Sequence, residues 1–217
     1  MDNQAGARQP YRIVTPPSAA TMACKRAFDI LCSFLGLTVL SPVLLVVSVL
    51  VAVTSPGGVF FRQERIGKDG RPFRIFKFRS MRKDNAGLKI TTGNDSRITP
   101  VGRFLRKSKI DELPQLINVL VGDMSFVGPR PEVADYVNLY TPYQRQVLLV
   151  RPGITGLASI RFRNENDLLT ASDDPNRTYV EQIMPRKIDL DLEYIPHASV
   201  FYDIKLIFQT FAVVIKE

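Results

Sequence analysis

The sequence predicts an α+β, mainly helical fold in which a membrane-embedded helical element precedes a small domain with a β-hairpin. The first observation is Ile30–Val53, a run of 24 uncharged and mostly apolar residues. The second is a pair of short segments rich in Phe and Ile, Val59–Ile66 and Pro72–Arg79, separated by Asp69-Gly70, a dipeptide typical of hairpin turns. These features predict a polar tail (1–23), a membrane helix (24–55) and a folded domain (56–217).

The apolar run is long enough to enter a bilayer but contains a proline near its centre. As a straight helix it would measure roughly 36 Å, against a hydrocarbon core of about 30 Å. Pro42 lacks the N–H that would bond the carbonyl of Thr38, and the Ser41 hydroxyl is a candidate partner for the freed groups. The residues alone leave two hypotheses open: a kinked single crossing, or a helix–break–helix hairpin that enters and leaves by one face.

Positive charge is concentrated directly after the apolar run. Arg62–Lys109 contains 15 basic and 4 acidic residues, whereas the net charge of the whole chain is +8. Such a surface attracts anionic lipid headgroups and phosphorylated substrates. We expect no nucleic-acid partner, because no nucleic-acid motif accompanies the charge. The two cysteines, Cys24 and Cys32, form no disulfide framework, which fits a reducing cytoplasm.

The rest of the chain alternates between turn signals and helical patterns. The predicted elements are a polar loop over 84–100, a short helix over Leu113–Leu120, a rigid turn at Gly128-Pro129-Arg130-Pro131, a helix over Glu132–Val150 with a possible break at Pro142, and a polar insertion over Asn164–Lys187. Ser199–Ile215 is a helix or strand candidate whose aromatic residues pack in a core or rest on a membrane interface. Those aromatic residues are Phe201, Tyr202, Phe208 and Phe211.

The segment Ser108–Gln115 contains the residues best suited to chemistry. Pro114 is tolerated in the first turn of a helix, which places Asp111 and Glu112 at or just before a helix N-terminus. Free N–H groups and the helix dipole favour phosphate there, and adjacent carboxylates can hold Mg²⁺. The alternative is structural, with Asp111 as the helix cap and Glu112 as a favourable first-turn charge.

Basic residues surround this acidic pair in the sequence. Arg130 stands between two prolines, and Lys77 and Arg79 lie on one face of the predicted second strand. Those immediately before the pair are Arg103, Arg106, Lys107 and Lys109. Each of these side chains could simply be solvated, but together they describe carboxylates, a metal and cations arranged around a polyphosphate.

At these residues the chain resembles the bacterial sugar transferase family, the small monotopic phosphoglycosyl transferases. The matching motifs are Lys25-Arg26-Ala27-Phe28-Asp29, Ser41-Pro42, Phe61-Arg62-Gln63-Glu64-Arg65-Ile66-Gly67, Phe76-Lys77-Phe78-Arg79-Ser80-Met81, Leu105-Arg106, Ile110-Asp111-Glu112-Leu113-Pro114-Gln115, Gly122-Asp123-Met124-Ser125-Phe126-Val127-Gly128-Pro129-Arg130-Pro131, Arg151-Pro152-Gly153-Ile154-Thr155-Gly156 and Asp191-Leu192-Glu193-Tyr194. They cover nearly everything from about residue 24 onward. One departure is Leu157-Ala158-Ser159-Ile160, where many members carry Trp-Gln-Val after the Thr-Gly.

The resemblance implies a re-entrant membrane helix broken at Ser41-Pro42 and a cytoplasmic catalytic domain with interfacial helices at the bacterial inner membrane. It implies Mg²⁺-dependent transfer of a sugar-1-phosphate from a UDP-sugar to a polyprenol phosphate, typically undecaprenyl phosphate, with release of UMP. Asp111 would form the covalent phosphosugar intermediate with Glu112 as its partner, and both are expected metal ligands. The cations expected at the nucleotide and phosphates are Lys77, Arg79, Arg106, Arg130 and Arg151.

A different class of function also fits the residues. A membrane-anchored module could use the basic face to bind nucleotide or lipid phosphates without turnover. The single histidine, His197, is expected to be structural or on the surface and has no assigned role. No heptad seam or other assembly signal is evident in the sequence.

Overall fold

The computed structural model describes residues 13–55, 57–82 and 97–215 and is mainly helical, as predicted. The helices are α1 (Ala19–Thr54), α2 (Pro100–Lys107), α3 (Gln115–Val121), α4 (Ala134–Val137), α5 (Leu157–Arg161), α6 (Glu165–Thr170), α7 (Pro175–Thr178), α8 (Met184–Tyr194) and α9 (Val200–Ile215). The strands are β1 (Phe60–Ile66), β2 (Pro72–Phe78), β3 (Ser125–Val127) and β4 (Gly153–Thr155). Most of the predicted tail and of the predicted loop over 84–100 lies outside the described residues.

Helix α1 runs for 36 residues and continues through Pro42. The predicted division into two helices at Ser41-Pro42 is therefore not confirmed by the secondary structure. The reason is that the Ser41 hydroxyl donates a 2.8 Å hydrogen bond to the carbonyl oxygen of Thr38. This is the carbonyl that loses its helical partner because Pro42 has no N–H. The helix also begins before the predicted boundary, at Ala19.

The N-terminal half of α1 packs against the folded domain through buried polar contacts. Lys25 forms a buried ion pair with Asp203 of α9. One turn later, Asp29 Oδ1 accepts hydrogen bonds of 3.1 Å from Ser125 Oγ and from the N–H of Phe126. The ammonium group of Lys25, five residues before the apolar run, is thus turned into the protein.

The C-terminal half of α1 packs against the same domain through apolar contacts. Val47 and Val51 are buried in one cluster with Phe78 of β2 and Leu105 of α2. The helix therefore touches the domain near both of its ends. The large apolar side chains that it leaves exposed are Ile30, Leu31, Phe34, Leu35, Val39, Val43, Leu45, Val46, Val49, Leu50 and Val53. Among the described helices, α1 alone is long and apolar enough to cross a membrane.

The predicted β-hairpin is confirmed. Strands β1 and β2 pair antiparallel from Phe60 with Phe78 to Ile66 with Pro72. Asp69 and Gly70 in the turn both have positive φ angles, 57° and 74°, a conformation that glycine and aspartate tolerate better than most residues. A second, parallel pair of short strands, β3 with β4, was not predicted.

The predicted helix over Glu132–Val150 is wrong. Helix α4 is a single turn, and a 3₁₀ segment over Gln144–Leu149 follows it. Between them Thr141 N–H donates to Gln144 Oε1 at 2.9 Å, and Gln144 N–H donates to Thr141 Oγ1 at 3.3 Å. These local side-chain bonds compete with helical ones next to Pro142.

The predicted polar insertion over Asn164–Lys187 is instead part of the core. Leu169, Tyr179, Ile183 and Met184 are all buried in the main hydrophobic cluster. The last segment, predicted to be either a helix or a strand, forms helix α9. His197 is exposed, in agreement with its predicted place.

Candidate active site

Asp111 and Glu112 occupy a 3₁₀ turn, Ile110–Glu112, that leads directly into α3. Pro114 immediately precedes the first residue of α3, so the expected position at a helix N-terminus is confirmed. Neither turn nor helix has a side-chain cap hydrogen bond. The structural alternative, in which Asp111 serves as the helix cap, is therefore wrong.

Glu112 is held by two cations. Its Oε1 atom accepts a 2.7 Å hydrogen bond from Lys77 Nζ and a 2.9 Å bond from Arg130 Nη2. Burial alone would raise the pKa of Glu112, but the two positive charges and their hydrogen bonds hold it well below its usual range. The carboxylate thus stays ionised and fixes both cations beside the neighbouring residue.

Asp111 has the opposite surroundings. Its side chain is buried, and Oδ1 has no hydrogen-bond partner among the described residues. Burial and the adjacent Glu112 charge raise the pKa of Asp111, while nearby cations oppose that rise. A buried carboxylate oxygen without a partner is rare and demands an explanation.

Arg106 belongs to this group of cations. Its positive charge lies close enough to Asp111 to oppose protonation of that carboxyl. Its Nη1 atom makes only a weak contact, 3.4 Å to the sulfur of Met81. Lys77, Arg106 and Arg130 are therefore predicted cations that the fold brings to the acidic pair. The charge of Lys109 also acts on Asp111.

Arg79 does not join them. Its Nε donates to the carbonyl of Gly58 at 2.9 Å, and Nη2 donates to the carbonyl of Phe60 at 3.2 Å. The side chain thereby holds the entry into β1. The structure shows this structural role for Arg79, and the prediction that it binds substrate phosphates stays a prediction.

Arg151 is also placed elsewhere. Its Nε donates a 2.8 Å bond to the carbonyl of Gly122, directly after α3. Arg26 completes the arrangement through bonds to the carbonyls of Val119 (2.5 Å) and Leu120 (2.8 Å). The last carbonyls of a helix have no intrahelical partner, so both guanidinium groups serve the C-terminal end of α3, opposite to the end that carries the acidic pair.

Sequence reasoning gave no role to two residues that position the site. Asn118 of α3 accepts the N–H of Phe76 at 2.8 Å and donates to the carbonyl of Arg74 at 2.9 Å, which fixes β2 and hence Lys77 beside α3. Asp191 of α8 lies near the backbone of Arg130, and burial raises the pKa of its carboxyl to about 7. Its place in a family motif was the only sequence signal for it.

The residues present fit a magnesium ion only in part. The free Oδ1 of Asp111 is a suitable ligand, whereas Glu112 is less suitable because its Oε1 is occupied by Lys77 and Arg130. No cluster of three or more Asp, Glu, His or Cys side chains occurs in the described part of the chain. Mg²⁺ often binds through one or two carboxylates, water and substrate phosphates, and Asp111 fits that mode.

Comparisons with known proteins find one matching family and several similar proteins. A family model described as bacterial sugar transferase matches residues 20–217. UDP-glucose:undecaprenyl-phosphate glucose-1-phosphate transferase from Escherichia coli (strain K12) is 43% identical over 90% of this chain and 41% of its own length. UDP-N-acetylgalactosamine-undecaprenyl-phosphate N-acetylgalactosaminephosphotransferase from Aeromonas hydrophila is 39% identical over 89% of this chain and 44% of its own length.

A third relative is similar in length to this chain. The exopolysaccharide production protein PSS from Rhizobium leguminosarum bv. phaseoli is 40% identical over 87% of this chain and 94% of its own length. The chain thus spans less than half of the two named transferases but nearly all of this shorter relative.

Proposed function

The chain belongs to the bacterial sugar transferase family, and from this we propose that it transfers a sugar-1-phosphate from a UDP-sugar to undecaprenyl phosphate with release of UMP. The observation that carries the proposal is the buried, unpartnered carboxylate oxygen of Asp111 beside a neighbour held by two cations. The names of the relatives make UDP-glucose the first donor to test and UDP-N-acetylgalactosamine the second. The product would start the synthesis of a glycoconjugate.

The proposed reaction consists of two displacements at one phosphorus atom. Asp111 attacks the sugar-bearing phosphorus of the donor, so that an aspartyl O–P bond forms. The P–O bond to the bridging oxygen breaks, and UMP leaves with the electron pair. A phosphate oxygen of the polyprenol acceptor then attacks the same phosphorus, which breaks the O–P bond and regenerates the carboxylate.

The cations reduce the electrostatic repulsion that opposes this reaction. A carboxylate that approaches a diphosphate meets strong like-charge repulsion, and negative charge accumulates on the leaving UMP. Lys77 and Arg130 are already fixed by Glu112, so little reorganisation is needed when the phosphates arrive. Mg²⁺, held by Asp111 together with the donor phosphates, would neutralise further phosphate charge.

We also propose that α1 bends at Pro42 in the membrane, so that it enters and leaves the bilayer by the same, cytoplasmic face of the inner membrane. The support is that Lys25 and Asp29 near one end and Val47 and Val51 near the other contact the same domain. A straight crossing would carry one of these contacts to the opposite side of the membrane. The exposed apolar flank of α1 between them would then face lipid.

Helix α9 supports the same placement at the membrane surface. Phe201, Phe208 and Phe211 are 87%, 69% and 60% exposed. Aromatic side chains on a surface helix are suited to the boundary between headgroups and acyl chains. A domain held at this depth would bring Asp111 close to the phosphate of a lipid acceptor.

The test is transfer of label from the donor to lipid. Protein in detergent or liposomes, with Mg²⁺ and undecaprenyl phosphate, is incubated with UDP-sugars labelled in the sugar, and the organic phase is counted. We expect labelled lipid with the wild type and with Asp189→Asn, an exposed control on α8, and none with Asp111→Asn. A module that binds without turnover would retain UDP-sugar but label no lipid in any variant.

A further inference from the structure

Gln115, the first residue of α3, carries a buried hydrogen-bond donor without a partner. The side chain is 1% exposed, and Nε2 has no hydrogen-bond partner among the described residues. Burying an amide donor in this way is unfavourable, because it loses water and gains nothing in return. Such a group needs an explanation other than the stability of the fold.

The position of this donor points to the acidic pair. The chain from residue 110 onward winds helically, with the N–H of Leu113 bonded to the carbonyl of Ile110 (3.1 Å) and that of Leu116 to the carbonyl of Leu113 (3.0 Å). Residues three and four positions apart are neighbours on such a surface. Gln115 therefore lies one turn after Glu112 and Asp111.

Two of the five unpartnered buried side-chain atoms in the described part of the chain fall in this one turn. Asp111 Oδ1 is an acceptor and Gln115 Nε2 is a donor, yet they do not bond each other. Lys77 and Arg130 are already bonded to Glu112. This one turn thus carries a nucleophile and a neutral donor that both lack a hydrogen-bond partner among the described residues.

We propose that Gln115 is a catalytic residue whose side-chain amide donates a hydrogen bond to an oxygen of the phosphoryl group that Asp111 attacks. During the displacement the equatorial oxygens of this group carry negative charge, and a fixed donor in a dry site stabilises them. The amide adds a hydrogen bond without adding a charge that could pair with Asp111. This inference rests on the proposed function.

The test replaces the donor without changing the size of the side chain. Gln115→Met removes the amide, Gln115→Glu replaces the NH₂ group with an acceptor, and Gln182→Met is the exposed control. Release of UMP is measured with the best donor among UDP-glucose, UDP-galactose and UDP-N-acetylgalactosamine, together with thermal unfolding. We expect both Gln115 variants to lose roughly 100- to 1,000-fold in kcat, with KM changed by less than about threefold because the bond strengthens in the transition state.

The unfolding midpoint separates this role from a structural one. Because Gln115→Met removes a buried donor that has no partner, its midpoint should equal or exceed that of the wild type. Wild-type kcat in either Gln115 variant would overturn the inference, as would a rate loss that follows a lowered midpoint. Absence of UMP release from the wild type would instead overturn the proposed function.

Discussion

Asp111 and Glu112 are adjacent carboxylates with opposite hydrogen bonding. Glu112 Oε1 accepts from Lys77 at 2.7 Å and from Arg130 at 2.9 Å, whereas Asp111 Oδ1 accepts from no described residue. One side chain is therefore fully engaged in holding the site together, and its neighbour is left available for a ligand. Substitution of the two residues should therefore affect the stability of the protein differently.

Replacement of the two carboxylates should have opposite effects on the free energy of unfolding. Glu112→Gln removes the negative charge that pairs with both Lys77 and Arg130, so it should destabilise the protein by about 2–3 kcal/mol. This is less than for a fully buried pair because the Arg130 side chain is 37% exposed. Asp111→Asn removes a buried charge that Glu112 repels, so it should leave stability unchanged or slightly higher. Denaturant unfolding in detergent measures both, with Asp189→Asn as control, and equal destabilisation by the two variants would contradict the account.

The pH dependence of UMP release should report ionisation of Asp111. Burial and the Glu112 charge raise the pKa of Asp111 above its ordinary value, and only the ionised form is a nucleophile. The single-turnover rate should therefore rise with pH through a midpoint above the ordinary aspartate value of about 3.9. A midpoint at or below that value would show that Asp111 is not the group that titrates.

The raised pKa of Asp111 and the lowered pKa of Glu112 affect the pH dependence of stability with opposite signs. The folded protein holds the Asp111 proton more tightly than the unfolded chain, so this residue makes stability fall as pH rises between its unfolded and folded pKa values. The pKa of Glu112 is depressed, so its contribution is present above the unfolded value and is lost as pH falls through the folded one. The free energy of unfolding in urea is measured against pH. The fall in stability with rising pH should disappear in Asp111→Asn, and the loss of stability with falling pH should disappear in Glu112→Gln.

The Ser41 hydroxyl should matter only when Pro42 is present. Ser41→Ala leaves the Thr38 carbonyl without a partner and should cost about 1 kcal/mol, or more in lipid, where water cannot replace the bond. In a Pro42→Ala background the alanine N–H can bond that carbonyl, and Ser41→Ala should then be nearly neutral. A double-mutant cycle in detergent measures this coupling, and additive effects would contradict the assigned bond.

The position of α9 can be read with a single fluorescent reporter. The chain contains no Trp, so Phe208→Trp introduces an isolated indole at a side chain that is 69% exposed. In liposomes this fluorescence should be quenched by lipids brominated on the acyl chains, because the helix rests at the headgroup boundary. Leu168→Trp, at an exposed position on α6, should remain unquenched. Equal quenching of the two variants would contradict the placement of α9 at the membrane surface.

The sequence was most informative where a residue dictates its own backbone. Asp69-Gly70 predicted the hairpin because both residues tolerate positive φ, and Pro114 predicted the helix start because it tolerates only the first turn. Lys77 and Arg130 were correctly associated with the acidic pair. Charge type alone did not show that Arg79 bonds a loop carbonyl and Arg151 a carbonyl at a helix end, because these contacts depend on tertiary packing.

Pro42 likewise shows that the effect of a residue depends on contacts that its own type does not reveal. Its effect on the Thr38 carbonyl was predicted, but a neighbouring hydroxyl restored the bond and the helix continued. The apolar residues of 164–187 were also hidden among charged ones, because a segment can bury every third or fourth residue and still have a polar composition.

The central claim, that Asp111 is the nucleophile, is tested most directly by the mass of the protein after reaction with donor alone. UDP-glucose, or the best donor in the panel, is mixed with Mg²⁺ and protein without acceptor, and UMP and intact mass are measured together. The account predicts up to one equivalent of UMP, one added sugar phosphate on the peptide that contains Asp111, and neither product with Asp111→Asn. UMP release that requires the acceptor, or an adduct that persists in Asp111→Asn, would contradict it.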